Sequence, residues 1–213
     1  MKSVAIVGTG TEIGKTWVAA RLATELAGRQ KIIAARKPAQ SFDVDDAVEL
    51  LDASILAAAT GQQAIDVCPP HRWYPLAMAP PMAATALGNE PILASALLDE
   101  MCWPAGVDIG LIETAGGLRS PLADDADNLQ FVALANPDAV VLVADAGLGT
   151  INLVRLCADL LKPWPFTVIL NRFDSQDSLH RRNAQWLIER DCLPVVTTVA
   201  ELAERVLGHC SNN

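Results

Sequence analysis

Charge is scarce in this sequence: only 19% of its 213 residues are Asp, Glu, Lys or Arg, against 51% hydrophobic residues. Intrinsic disorder needs low hydrophobicity and high charge, so the composition excludes it for the chain as a whole. The length is enough for an ordinary domain core. Positive charge is the minority, with 16 Lys and Arg against 25 Asp and Glu and a net charge of −9. Such a surface repels phosphate backbones and anionic lipid, which argues against nucleic acid or a membrane as a partner. A small anion can still bind where backbone amides and one or two lysines form a pocket. Cysteines are few and scattered (Cys68, Cys102, Cys157, Cys192 and Cys210), with no C-x-x-C pair. They read as buried thiols in a reducing compartment rather than a disulfide framework or metal site. The three histidines, His71, His180 and His209, lack ligand spacing. No apolar run suits a membrane span, because the uncharged stretch 73–88 is interrupted by Pro75, Pro80 and Pro81. Met1-Lys2-Ser3 leads straight into an apolar run without a signal-peptide pattern, so a cytoplasmic protein is expected.

What is present is an alternation of two patterns. Residues 3–7, 31–36, 107–112, 139–144, 166–170 and 194–197 are nearly continuous aliphatic runs, as strands buried on both faces require. Between them, Val18, Leu22 and Leu26 recur at helical spacing, and Leu153, Leu156, Cys157, Leu160 and Leu161 form a second helical stripe. Further helices are expected over 43–59, 92–101 and 178–189. Strands separated by helices imply right-handed crossovers, hence an α/β three-layer sandwich with a mainly parallel sheet and helices on both faces. Between Cys68 and Asn89, prolines and small residues dominate, and the stretch is expected to pack irregularly over the sheet's rim. No repeat or domain boundary is visible, and one domain over 1–213 is expected.

The strongest local signal is GTGTEIGKT at residues 8–16, directly after the first strand and opening the first helix. This is the context of a phosphate-binding P-loop. Successive backbone N–H groups curl round the phosphates, and the helix N-terminus adds partial positive charge. Lys15 would reach the β- and γ-phosphates and the Thr16 hydroxyl would ligate Mg²⁺. The glycine is displaced by one: Thr9 stands where a strict G-x-x-x-x-G-K-[ST] pattern has glycine. Such a loop needs a metal-side acid at the end of a neighbouring strand. Glu113 and Asp145 both qualify, each followed by a glycine-rich turn, and the pattern alone leaves them even. Lys37 ends the second strand in RKPAQS (36–41), and ligands of open α/β sheets sit beyond such strand ends. Pro38 fixes the chain behind it, so Lys37 is expected to share the P-loop's rim. Asp43, Asp45 and Asp46 follow; such clusters complement helix N-termini, and one could reach the metal.

In this order and at these intervals, GTGTEIGKT, KPAQS, ETAGG, AGLGTIN and LNR resemble dethiobiotin synthetase, over roughly residues 3–173. The displaced glycine is part of that family's loop, and WYPLAMAPPM (73–82) is similar to its Tyr-Pro…Met-Ala-Pro segment. The resemblance implies ring closure of 7,8-diaminononanoate with CO2 (or bicarbonate) and ATP, by way of a carbamate and a carbamic–phosphoric anhydride. It assigns Lys37 and Lys15 to the carbamate and the transferring phosphoryl group, and Thr11, Ser41 and Gly117 to the substrate. Thr16, Glu113 and Asp46 would hold Mg²⁺, with Asp45 as the alternative to Asp46. The nucleotide would contact Glu12, Ile13, Gly14, Lys15, Thr16, Trp17, Glu113, Gly116, Asn171 and Arg172, with Thr198, Val199 and Ala200 against the base. Leu148, Thr150, Ile151 and Asn152 would bind the substrate's carboxylate tail across a homodimer. The chain departs from the family pattern at Thr114, which replaces a glycine and would be strained at positive φ. It also departs at Phe42, again in place of a glycine, and has Leu153 rather than a histidine directly after Asn152.

Other P-loop classes fit less well. A ParA/MinD-like switch needs an additional lysine near the start of its loop, and Thr9-Gly10 offers none. Amidating ligases of cofactor synthesis usually carry a glutaminase domain, for which 213 residues leave no room.

Overall fold

The computed structural model describes residues 1–208; His209 and Cys210 lie outside the described residues. In chain order the elements are β1 (Lys2–Gly8), α1 (Lys15–Gly28), β2 (Ile33–Arg36), β3 (Gln40–Ser41), α2 (Asp52–Thr60), α3 (Ala64–Val67), β4 (Trp73–Tyr74), α4 (Pro80–Ala86), α5 (Ala94–Asp99), β5 (Ile109–Glu113), α6 (Asn128–Ala135), β6 (Ala139–Asp145), α7 (Thr150–Leu161), β7 (Phe166–Asn171), α8 (Ser178–Glu189), β8 (Val195–Val196) and α9 (Val199–Gly208). All six expected strands pair in one parallel sheet of order β2-β5-β1-β6-β7-β8. The short β3 and β4 form a separate parallel pair.

Period-two alternation explains the two covered faces. Val4 and Ile6 of β1 point into a cluster with Val18, Leu22 and Leu26 of α1, Leu56 of α2 and Leu202 of α9. Ala5 and Val7 point the other way, to Val132 of α6, Val154 of α7 and Leu187 of α8. A third cluster covers the rim beyond β5, where Tyr74, Ala83, Ile92, Leu97, Leu122 and Phe131 pack together. The stretch after Cys68 thus crosses the rim as expected, but carries β4 and α4 of its own.

Several sequence expectations change. The helix expected over 43–59 begins only at Asp52, after a 3₁₀ turn at Val48–Leu50. The acidic residues before it form their own turn: Asp46 Oδ2 accepts from Asp43 N–H at 2.9 Å and Asp43 Oδ1 from Asp45 N–H at 3.2 Å. Short acidic side chains compete with helix in this way. The 92–101 helix shrinks to Ala94–Asp99. On α7, Leu153, Leu156 and Leu160 face outward, 43%, 60% and 37% exposed, while Val154, Ala158 and Leu161 supply the core. Of the cysteines, Cys68 is buried and Cys157 half-buried, but Cys102 and Cys192 are exposed. Among the described residues no helix is long and apolar enough to cross a membrane.

Candidate active site

The site grows from the C-terminal ends of β1, β2 and β5. Gly14 caps α1 at φ 86, a left-handed conformation that glycine adopts without steric penalty. A Cβ there would also collide with Asn171 Nδ2. Asn171, at the end of β7, donates that amide to Ile13 O at 2.8 Å. Arg172 donates to Glu12 O at 2.7 Å and pairs with Asp145 Oδ2 at 3.1 Å. The phosphate loop is therefore strapped to the ends of β6 and β7 by two side chains. Its other flank packs on the turn after β5, where Gly117 lies against Gly10. Asn128 holds that turn by donating to Ala115 O at 2.5 Å and Gly117 O at 2.7 Å. Its left-handed residue is Gly116 at φ 74, so Thr114 escapes strain; Thr114 is buried and its hydroxyl donates to Ile6 O at 3.3 Å.

Lys15 and Lys37 line one cavity of about 760 Å³, with Thr11, Glu12, Gly14, Thr16, Ser41, Glu113 and Gly116. At its floor Lys37, 2% exposed, sits between two carboxylates, 2.5 Å from Asp52 Oδ2 and 2.7 Å from Glu113 Oε1. The Thr16 hydroxyl lies 2.6 Å from Asp52 Oδ1 and 2.8 Å from Glu113 Oε1. A hydroxyl has one proton and satisfies only one of these acceptors at a time. Glu113 Oε2 is buried without a partner. Three oxygen-bearing side chains with acceptor capacity to spare thus converge beside the P-loop.

The charges perturb one another. Burial alone would push the Lys37 ammonium down, but Asp52 and Glu113 together outweigh it and hold it above its ordinary value. Burial and the neighbouring Lys37 charge lower Lys15 from 10.5 to about 8. Its ammonium donates to Gly10 O at 3.1 Å. Burial raises the Glu113 carboxyl against the pull of Lys37. For Asp52, burial works upward, but Lys37 and Thr16 prevail and lower it.

The expected residues divide between places. Asp46 borders the cavity, but its carboxylate closes the Asp43 turn, and the acids on Thr16 are Asp52 and Glu113. The sequence reading missed Asp52 by starting the helix too early; the available signal was an acid immediately before the Ala-rich run 53–59. Asp45 is exposed and does not line the cavity. Glu113 rather than Asp145 reaches the site, since Asp145 Oδ1 accepts from Gly147 N–H at 2.8 Å and its other oxygen is taken by Arg172. A second cavity of about 740 Å³ shares Gly14 with the first and is lined by Trp17, Asn171, Arg172, Thr198 and Val199, with Arg21 and Phe173. Ala200 is exposed outside it, its carbonyl accepting from Arg29. Leu148, Thr150, Ile151 and Asn152 line neither cavity; Leu148 is 92% exposed. Gly117 supports the turn without lining the cavity, and its N–H donates to Ser120 Oγ at 2.9 Å. Phe42, singled out as a departure from the family pattern, borders it and stands edge-on to Trp73 at 6.5 Å; Met78, Pro80 and Gln40 also border it, unforeseen as site residues.

Known proteins resemble this chain along most of its length. A family model described as an AAA domain matches residues 2–209. An ATP-dependent dethiobiotin synthetase of Haloferax mediterranei is 35% identical, over 98% of this chain and 90% of the relative. Those of Caulobacter vibrioides and Aquifex aeolicus are 39% and 33% identical, covering 76% and 86% of this chain and 74% and 82% of the relatives. Among solved structures, a plasmid partition protein of Borrelia burgdorferi has a TM-score of 0.56 at 14% identity, over 97% of this chain and 96% of its own. A DUF1611 protein of Anabaena variabilis has a TM-score of 0.54 at 18% identity, over 100% of this chain and 57% of its own. These two likenesses concern the fold alone. With its P-loop, paired lysines and relatives taken together, the chain belongs to the family of ATP-dependent dethiobiotin synthetases.

Proposed function

We propose that this chain joins 7,8-diaminononanoate, CO2 and ATP to give dethiobiotin, ADP and phosphate in biotin synthesis. The observation that carries the reading is the pair Lys15 and Lys37 opening onto one cavity beside the P-loop. One substrate amine takes up CO2 and loses a proton, becoming a carbamate. A carbamate oxygen attacks the γ-phosphorus and expels ADP, leaving a carbamic–phosphoric anhydride. The second amine attacks its carbonyl carbon, closes the ring and expels phosphate. Each step gathers negative charge between carbamate and phosphoryl group, so fixed cations and amides matter more than a nucleophilic side chain. Lys37 neutralises the carbamate, and Lys15 with the P-loop amides neutralises the phosphoryl oxygens. Thr11 and Ser41 orient the amines; the Ser41 hydroxyl is buried and unpartnered, ready for such a contact.

Thr16, Asp52 and Glu113 suit Mg²⁺, which prefers oxygen ligands and is usually held by one or two carboxylates plus the phosphates of a bound nucleotide. Among the described residues no group of three or more His, Cys, Asp or Glu forms a metal cage, which favours a metal arriving with ATP. When bound, Mg²⁺ would offset charge on the β- and γ-phosphates. Trp17, Asn171, Thr198 and Val199 would house the base in the second cavity. A homodimer accounts for the outward leucines of α7 and for the substrate-tail residues lying outside the cavity of their own chain: Leu148, Thr150, Ile151 and Asn152 would serve the partner's substrate.

Phosphate release from Mg-ATP and bicarbonate, with and without diaminononanoate, tests the reading. Stimulation by the diamine is expected. Hydrolysis indifferent to it points to a nucleotide switch, and absence of turnover to a protein that only binds nucleotide.

A further inference from the structure

We propose that Gln40 is a positioning residue for the Asp52 carboxylate, acting by capping the first turn of α2 from outside the helix. The inference rests on reading Asp52 as a metal ligand. Gln40 is 2% exposed, and its Oε1 accepts from Ala53 N–H at 3.0 Å. The first N–H groups of any helix lack intrahelical partners. No local side chain serves α2, whose N-cap is Leu51. Asp52 is the first residue of α2, and both its oxygens point into the cavity, to Thr16 and to Lys37. The Ala53 donor is met from outside the helix, and Gln40 thereby fixes the turn from which the Asp52 carboxylate projects.

The same residue ties α2 to the segment that carries Lys37. Gln40 lies three residues after Lys37, in β3, and is registered against Trp73 of β4. Lys37 N–H is itself anchored on Val67 O at 2.8 Å. The ammonium and the carboxylate it meets are therefore set from one short segment, 37–40, held at both ends. The amide orientation is dictated, because only Oε1 can accept from an N–H. That leaves Nε2 buried without a partner at the cavity's edge, which is unfavourable for mere core filling.

Mn²⁺ titration of the full chain bound to a non-hydrolysable ATP analogue tests this by calorimetry, without turnover. Gln40→Met removes the acceptor and should weaken Mn²⁺ binding by about fivefold or more, the order of a lost helix cap, with metal-free affinity for the analogue unchanged. In an Asp52→Asn background the same change should weaken it by no more than about twofold, since the two act as a unit. Gln40→Glu keeps an acceptor for Ala53 and should stay within about fivefold of the parent, which separates positioning from folding. A smaller loss in Gln40→Met, a larger one in Gln40→Glu, or full additivity with Asp52→Asn overturns the proposal. If Asp52→Asn alone leaves Mn²⁺ binding unchanged, Asp52 is no ligand, and the metal assignment falls together with the inference.

Discussion

Replacing Lys37 by methionine should unfold the logic of the site before any chemistry is measured. Methionine keeps the buried stem but removes the ammonium shared by Asp52 and Glu113 at 2.5 and 2.7 Å. Breaking a buried pair is destabilising by ~3–5 kcal/mol because it strands an uncompensated charge. Glu113 is 1% exposed, but the Asp52 side chain is 39% exposed and can still be hydrated, which favours the lower figure. For a chain of this size, ~3 kcal/mol corresponds to roughly 6–12 °C in Tm. The pH dependence carries the sharper test. In the parent, Lys37 holds the Asp52 carboxyl below its ordinary value, so that contribution is present above pH ~4 and lost as pH falls through the lowered value. In the variant, the Glu113 carboxyl, already raised by burial, loses its counter-charge and rises further. The folded variant then binds a proton that the unfolded chain does not, so its stability falls as pH rises through that raised value. The Tm deficit, read by circular dichroism in EDTA, should therefore narrow as pH falls through that raised value. A deficit under ~1 kcal/mol, or one that does not vary with pH, would refute the argument.

Lys15 offers a second pH effect. Its free pKa of about 8 should rise against phosphates, so ATP binding takes up protons and its affinity falls as pH rises through that value. Calorimetry in buffers of different ionisation enthalpy reads the uptake. Gly14→Ala combines left-handed strain of ~1–2 kcal/mol with the clash against Asn171, and should abolish measurable nucleotide binding while lowering Tm by a few degrees. Glu113→Gln should raise the Mg²⁺ requirement for turnover at least about tenfold, whereas Asp145→Asn, which loosens only the Arg172 strap, should change it less than about threefold. Equal effects of the two would return the metal role to Asp145.

The sequence showed most where one physical pattern dominated. Continuous aliphatic runs located all six strands of the sheet, and Gly14-Lys15-Thr16 located the phosphate loop, because backbone geometry there tolerates few residue types. Lys37 was legible from its place at a strand end. Asp52 was not, since Asp43, Asp45 and Asp46 offered the same chemistry nearer to Lys37 in the chain, and the turn that Asp43 and Asp46 close delays the helix to Asp52. Gln40 escaped notice because its role depends on a helix that starts 12 residues later. The outward leucines of α7 show a different limit: helical spacing of leucines marks one face, while the core of this helix is filled by Val154, Ala158 and Leu161 on another. Asn171 shows another, for its contact with Ile13 is a long-range strap that no local pattern encodes.

If Lys15 and Lys37 act on one carbamate–phosphoryl pair to close a ureido ring, carbon from bicarbonate must enter that ring. Incubation of the protein with Mg-ATP, diaminononanoate and ¹³C-bicarbonate, followed by mass spectrometry, reads this. The expected product is dethiobiotin carrying one ¹³C at its carbonyl carbon, with one ADP formed per ring and no labelled product from Lys37→Ala. Diamine-independent ADP release with no labelled ring, or a Lys37→Ala variant that forms the ring at the parent rate, would contradict it.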